Sequence, residues 1–223
     1  MDTSDIRDLA PGTAVHGKGK KRVRDILKVA TEILAFEGYS KFTMRHIADR
    51  AGITLRNVQY YFKTKDILFQ SVIEQRLKHD IESATKVIEN HNLSAEDRFL
   101  AFVDNSLEEN TTPFIRGLQF ELWAQANHDA FAAKCRDHMT TVYSKFIYEL
   151  IKPLTLGQSE KTRREKAVIL LSMLQGFPLV EGSDIHIEFA IGNLRKLFRT
   201  EALIFVTSGA EPESPPAYIS VFT

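Results

Sequence analysis

Thr43 and Thr54 each follow an apolar residue and open a short amphipathic run, and this repeated device constrains the fold more than any other feature. A threonine hydroxyl accepts a hydrogen bond from the free amides of a helix's first turn, so each threonine predicts a helix start. Phe42 before the first and Ile47 within it are spaced to clasp the helix entry, and Ile53 and Val58 repeat the arrangement around the second. Ala51-Gly52 lies between them, small enough for a tight turn. The spacing therefore predicts helices over about 43–50 and 54–61 joined as a helix-turn-helix. Ahead of them, from about Lys18, the residues Val23, Ile26, Leu27, Ala30, Ile33 and Leu34 recur at helical spacing, and Gly38 supplies a stop. Ile47, Ala48, Ala51, Ile53, Val58 and Phe62 would pack against that first helix as a small core.

The pattern beyond is helical throughout. Thr64 starts a long helix over about 65–89, with Asp66 in its first turn where a carboxylate suits the helix dipole. Further helical segments fall near 94–110, 112–126, 128–152, 160–181 and 186–206. The fold class expected is all-α. A three-helix head at 18–66 is followed by a larger helical body at 67–206, with a mobile arm at 1–17 and a disordered tail at 207–223.

Net charge over the chain is zero, but its placement is uneven. Residues 17–65 hold 12 Lys or Arg against four acids, a balance of +8, whereas residues 66–223 carry −6 and residues 1–16 carry −2. A basic segment on an acidic body suits a polyanion, because cationic side chains that neutralise phosphates release counterions. Exclusions come as readily. Cys135 is the only cysteine, so no internal disulfide forms and a reducing compartment is expected. The most apolar stretch, Val168 to Val180, is broken by Ser172, Gln175, Gly176 and Pro178. It falls short of the ~18 apolar residues of a membrane span. No apolar signal core follows the first charges, and a cytoplasmic location is expected.

In a helix-turn-helix the second helix enters the major groove N-terminus first while the preceding helix braces it. The exposed residues of the second helix are then the candidate readers of double-stranded DNA. Arg56 suits a guanine edge, Asn57 and Gln59 an adenine edge, and Leu55 a thymine methyl. Thr54, Tyr60, Tyr61, Lys63 and Lys65 suit phosphate oxygens, with Thr43 and Arg45 of the bracing helix beside them. One of the two tyrosines is equally suited to the core.

Residues 20–70 resemble the DNA-binding domain of TetR-family transcriptional regulators. The likeness is carried by Thr43, Ile47-Ala48, the turn Ala51-Gly52-Ile53-Thr54, Tyr60-Tyr61-Phe62 and the lysine after them. Arg56 and Gln59 depart from the usual family pattern, and both lie where an operator is read. The resemblance implies a homodimer on a palindromic operator, repressing a promoter and released by a small-molecule effector. An architectural DNA binder without an inducer is the alternative.

For the body, the resemblance implies a ligand pocket and a dimer interface. Phe102, Phe120, Trp123, Tyr143, Phe146, Met173 and Phe177 are the candidate pocket residues, and plain core is the other reading of them. Leu170, Leu171 and Leu174, with Ile187, Ile191, Leu194 and Phe198, form stripes suited to a four-helix bundle between subunits or to packing within one. Pro178 should kink or end its helix. No catalytic, metal or cofactor constellation is recognisable: the histidines include no pair at helical i,i+4 spacing, and Gly17-Lys18-Gly19-Lys20 lacks a phosphate-loop spacing. Cys135 reads as a small buried apolar residue.

Overall fold

In the computed structural model the described residues are 17–181 and 192–209. They form α1 (Gly17–Glu37), α2 (Met44–Arg50), α3 (Leu55–Tyr61), α4 (Lys65–Ile88), α5 (Ala95–Asn110), α6 (Pro113–Ala126), α7 (Ala130–Ile151), α8 (Glu160–Glu181) and α9 (Leu194–Thr207). No strand occurs among the described residues. The expected arm, tail and the start of the last helix, with Ile187 and Ile191, lie mostly or wholly outside them.

The starts of α2 to α7 each have a local cause. Thr43, Thr54, Thr64, Ser94, Thr112 and Asp129 all accept an amide of the first turn of α2 to α7. Pro113 adds to the start of α6, where its missing N–H costs nothing. Gly38 ends α1 with φ 83°, a conformation only glycine adopts without strain, and its amide reaches back to Ile33.

Two buried clusters organise the packing. The first gathers Ile26, Ile33, Leu34, Phe42, Ile47, Val58, Phe62, Leu68 and Phe69, and it continues into Leu118, Leu122, Ala132 and Cys135. The core of the helix-turn-helix head is therefore shared with α6 and the start of α7. The second joins α5, the end of α7, α8 and α9 through Phe99, Val103, Ile147, Ile151, Leu170, Leu174, Phe177 and Val206. Burying each large side chain of this kind contributes about 1.5–3 kcal/mol. Lys166 closes the C-terminal end of α9 by donating to Val206 O at 2.9 Å and Ser208 O at 2.5 Å, the negative end of that helix's dipole.

The leucines of α8 require a correction. Leu170, Leu171 and Leu174 were expected at a subunit interface, but they are buried inside the monomer, and Phe198 packs its ring 5.1 Å from Phe177. Leu194 packs against the same core. The richest apolar surface in reach is the chain's own core, and it takes the larger stripe. A second stripe is left outside: Val168, Ile169 and Leu179 on α8, and Leu197 and Ile204 on α9. The expected stripe missed this outer set.

Pro178 does not end α8, which continues to Glu181. Proline has no N–H, so the carbonyl of Leu174 loses its helical donor. Asn110 Nδ2 donates to that carbonyl at 3.5 Å, and Gln119 Nε2 donates to the next one, Gln175 O, at 3.4 Å.

Candidate nucleic-acid interface and ligand cavity

The two threonine caps fix which face of α3 is presented. Thr43 Oγ1 accepts from His46 N and Thr54 Oγ1 from Asn57 N, both at 3.2 Å. Gly52 turns the chain with φ 63° and leaves Val58 as the buried residue of α3. Arg56, Asn57, Gln59 and Tyr60 consequently stand exposed along one edge, with Thr43, Arg45, Thr54 and Lys63 exposed beside them. Leu55 and Tyr61 are half-buried against the head's core. Tyr60 is exposed, and its ring meets Tyr61 edge-on at 5.0 Å. Lys65 is less free than expected for a phosphate contact, because its ammonium sits 3.6 Å from the centre of the Tyr39 ring and is half-buried. That burial lowers its pKa from the ordinary lysine value.

Behind this face a triad ties α2 to α1. Glu37 accepts from His46 Nε2 at 2.8 Å and pairs with Arg50. The hydrogen bond with His46 holds the Glu37 carboxyl below its ordinary range, Arg50's charge adding to this and partial burial opposing it. A depressed folded pKa means stability that is present above the unfolded value and lost as pH falls through the folded one. Wild type should therefore exceed Glu37→Gln in urea midpoint near neutral pH, and the gap should close below about pH 4. A gap that persists in acid would assign the effect to packing.

The body encloses a cavity of about 140 Å³ between α4, α5, α6, α7 and α8. Phe102, Trp123, Tyr143 and Phe146 line it, together with Leu171 and Leu174 from the stripe expected between subunits. Phe120, Met173 and Phe177 do not: Phe177 faces the second core, while Phe120 and Met173 are half-buried away from the lining. Sequence reasoning missed the polar wall entirely. Arg76 Nη2 lies 2.5 Å from Asp80 Oδ1 and 2.8 Å from Glu109 Oε2, and the Tyr143 hydroxyl donates to Asp80 Oδ2. Burial raises the pKa of Asp80, with Arg76 opposing, and burial and then Asp80 push the Tyr143 phenol well up. The signal was present: Arg76 and Asp80 stand at i,i+4 on a helix whose inner face is otherwise apolar.

Helix α6 touches both the cavity and the head. Its Leu118, Gln119 and Leu122 line the cavity. On its other side Gly117 lies so close to α1 that a Cβ there would be 2.1 Å from the Ala35 carbonyl oxygen. One turn on, Glu121 Oε2 accepts the Tyr39 amide at 2.9 Å. Tyr39 in turn packs against Phe42 and Phe69 and lies under Lys65. Cys135 is buried near this contact, and burial pushes its thiol up to about 11, which suits a packing residue rather than a reactive one.

A family model for bacterial regulatory proteins of the tetR family matches residues 26–72. Residues 26–72 therefore carry a DNA-binding head of the tetR type. An HTH-type transcriptional regulator of uncharacterized role, from the dhlA 5' region of Xanthobacter autotrophicus, is 41% identical to this chain over 58 residues. That match spans 26% of this chain and 29% of the relative, so it concerns the head alone. Among solved structures, a TetR transcription regulator from Haloarcula marismortui superposes with TM-score 0.66 at 17% identity, over 84% of this chain and 97% of that one. A candidate transcriptional regulator from Saccharomonospora viridis, solved in complex with choline, gives 0.63 at 18% identity, over 84% and 96%. These likenesses establish the fold of the body. Among the described residues no helix is long and apolar enough to cross a membrane.

Proposed function

We propose that this chain is a homodimeric transcriptional repressor of the TetR family that holds a palindromic operator and is released by a small-molecule effector. The observation that carries the reading is the double contact of α6, which walls the cavity on one side and grips α1 and Tyr39 on the other. An occupant that shifts Leu118 or Leu122 also shifts Gly117 and Glu121, and α4 runs unbroken from Lys65 at the head to cavity residues Ile73 and Asp80. A ligand biases the heads only as far as it favours one arrangement over the other. The choline complex of the Saccharomonospora protein supports a small-molecule site in this fold. The cavity supports the ligand-responsive reading over an architectural DNA binder.

The dimer would use the outer stripe of Val168, Ile169, Leu179, Leu197 and Ile204. Selection of bound sequences from random DNA by the full chain should recover an inverted repeat, with half-site centres about 34–36 Å or a multiple apart. Ile169→Asp with Leu197→Asp should yield monomers in sedimentation and lose the repeat. An enriched site with no inverted symmetry, unaffected by those changes, would overturn the homodimeric reading.

A further inference from the structure

We propose that the cavity takes an organic cation, a compact apolar body carrying one ammonium group. This deepens the proposed ligand response and rests on it. Size sets the first limit. At ~10–15 Å³ for a water-sized occupant, 140 Å³ of such space admits on the order of ten non-hydrogen groups.

Charge sets the second. Four ionisable side chains of opposite signs line the cavity: Arg76, Asp80, Glu109 and Arg136. Arg136 is paired with its exposed neighbour Asp137, its Nε and Nη2 both donating to Asp137 Oδ1 at 2.9 and 2.7 Å. Arg76 lies between the carboxylates of Asp80 and Glu109, so that group holds two negative charges and one positive. The Tyr143 phenol stays neutral and only donates to Asp80. With Arg136 counted against Asp137, the excess is one negative charge, in a wall that carries Asn105, Asn110, Gln119 and Thr140 beside its apolar and aromatic side chains. An anionic ligand would have to draw Arg76 from both carboxylates and leave Asp80 buried without its partner, which is the costly way to break such a pair. A cation enters with every existing pair intact and offsets the excess.

The aromatic lining points the same way independently. Phe102, Trp123, Tyr143 and Phe146 border the cavity, with the Phe102 and Phe146 rings 5.5 Å apart and Trp123 42% exposed at the rim. Ring faces carry negative potential and attract an ammonium that has shed its water. Asp80 Oδ1 is buried, and its contact with Arg76 Nη2 at 2.5 Å is not aligned as a hydrogen bond.

The test titrates the full-length protein with phenyltrimethylammonium, its neutral isostere tert-butylbenzene, and benzoate. The cation should bind about tenfold or more tightly than the isostere, and benzoate weakest. Asp80→Asn should abolish that preference while leaving tert-butylbenzene affinity unchanged. Glu109→Gln, at a half-exposed position that tolerates change, should reduce the preference and keeps the test valid if Asp80→Asn fails to fold. Ala84→Trp, which fills the cavity, should remove binding of all three. Equal or tighter binding of the isostere or benzoate, lost in Ala84→Trp, would overturn the cation assignment and leave a small-molecule pocket in place. Absence of binding by any probe would overturn it too. The operator selection uses none of these probes, so the two readings fail separately.

Discussion

Gly117→Ala is expected to destabilise the protein by about 3 kcal/mol, a melting-temperature loss of roughly 6–12 °C for a chain of this size. Two effects compete at this position. Alanine in a helix interior gains about 1 kcal/mol over glycine through backbone entropy. Against that, the new Cβ would meet the Ala35 carbonyl oxygen at 2.1 Å and its carbon at 3.1 Å, and both are backbone atoms of a packed helix. No side-chain rotation relieves such a contact, so α1 and α6 must separate by over an ångström, at the edge of the head's core. The clash wins. Gly176→Ala in α8 is the control: nothing lies within 4 Å of its Cβ position, so the entropic term stands alone and stability should rise. The comparison is read from thermal melts of both variants beside wild type. Because Gly117 and Glu121 also link the cavity to Tyr39, Gly117→Ala should weaken operator binding at temperatures where the chain remains folded. Equal stability of Gly117→Ala and wild type would mean that α1 and α6 do not pack this closely.

The head was legible in the sequence because its determinants are local. Thr43, Thr54 and Gly52 act on amides and turns within a few residues of themselves, so their meaning survives without tertiary context. The body was legible only as helices. Helical periodicity shows that Leu170, Leu171 and Leu174 share a face, but not whether that face meets the chain's own core or another subunit. Large side chains alone placed four of the seven pocket candidates at the cavity, since such a side chain serves core and cavity equally. Glu109 becomes meaningful only when α5 brings it to the Arg76 guanidinium of α4, a meeting of residues distant in sequence. Gly117 shows the same limit. A glycine inside a helix signals a close approach, but not of which partner.

Arg56→Ala should weaken binding to the selected operator by about 1–3 kcal/mol, on the order of five- to 150-fold, and relax the preference at one base pair. The expectation falls on this residue because the other cations of the head are engaged or lie elsewhere. Arg50 is held by Glu37 and Lys65 by the Tyr39 ring, so both are tied to the head itself. Arg56 stands exposed in the first turn of α3, the end that enters the groove, and no acid of the described residues pairs with it. Its planar donors match a guanine edge, whereas the flexible ammonium of Lys63 at the other end of the helix offers only charge. The two variants should therefore part company. Lys63→Ala should lose affinity evenly on operator and random DNA and lower the salt slope by about one phosphate contact. Arg56→Ala should lose far more on the operator than on random DNA, with the operator's preferred base pair replaced by a mixture on reselection. Even losses on both DNAs would place Arg56 among the phosphate contacts and shift base reading to Asn57 and Gln59, the exposed amide side chains of α3.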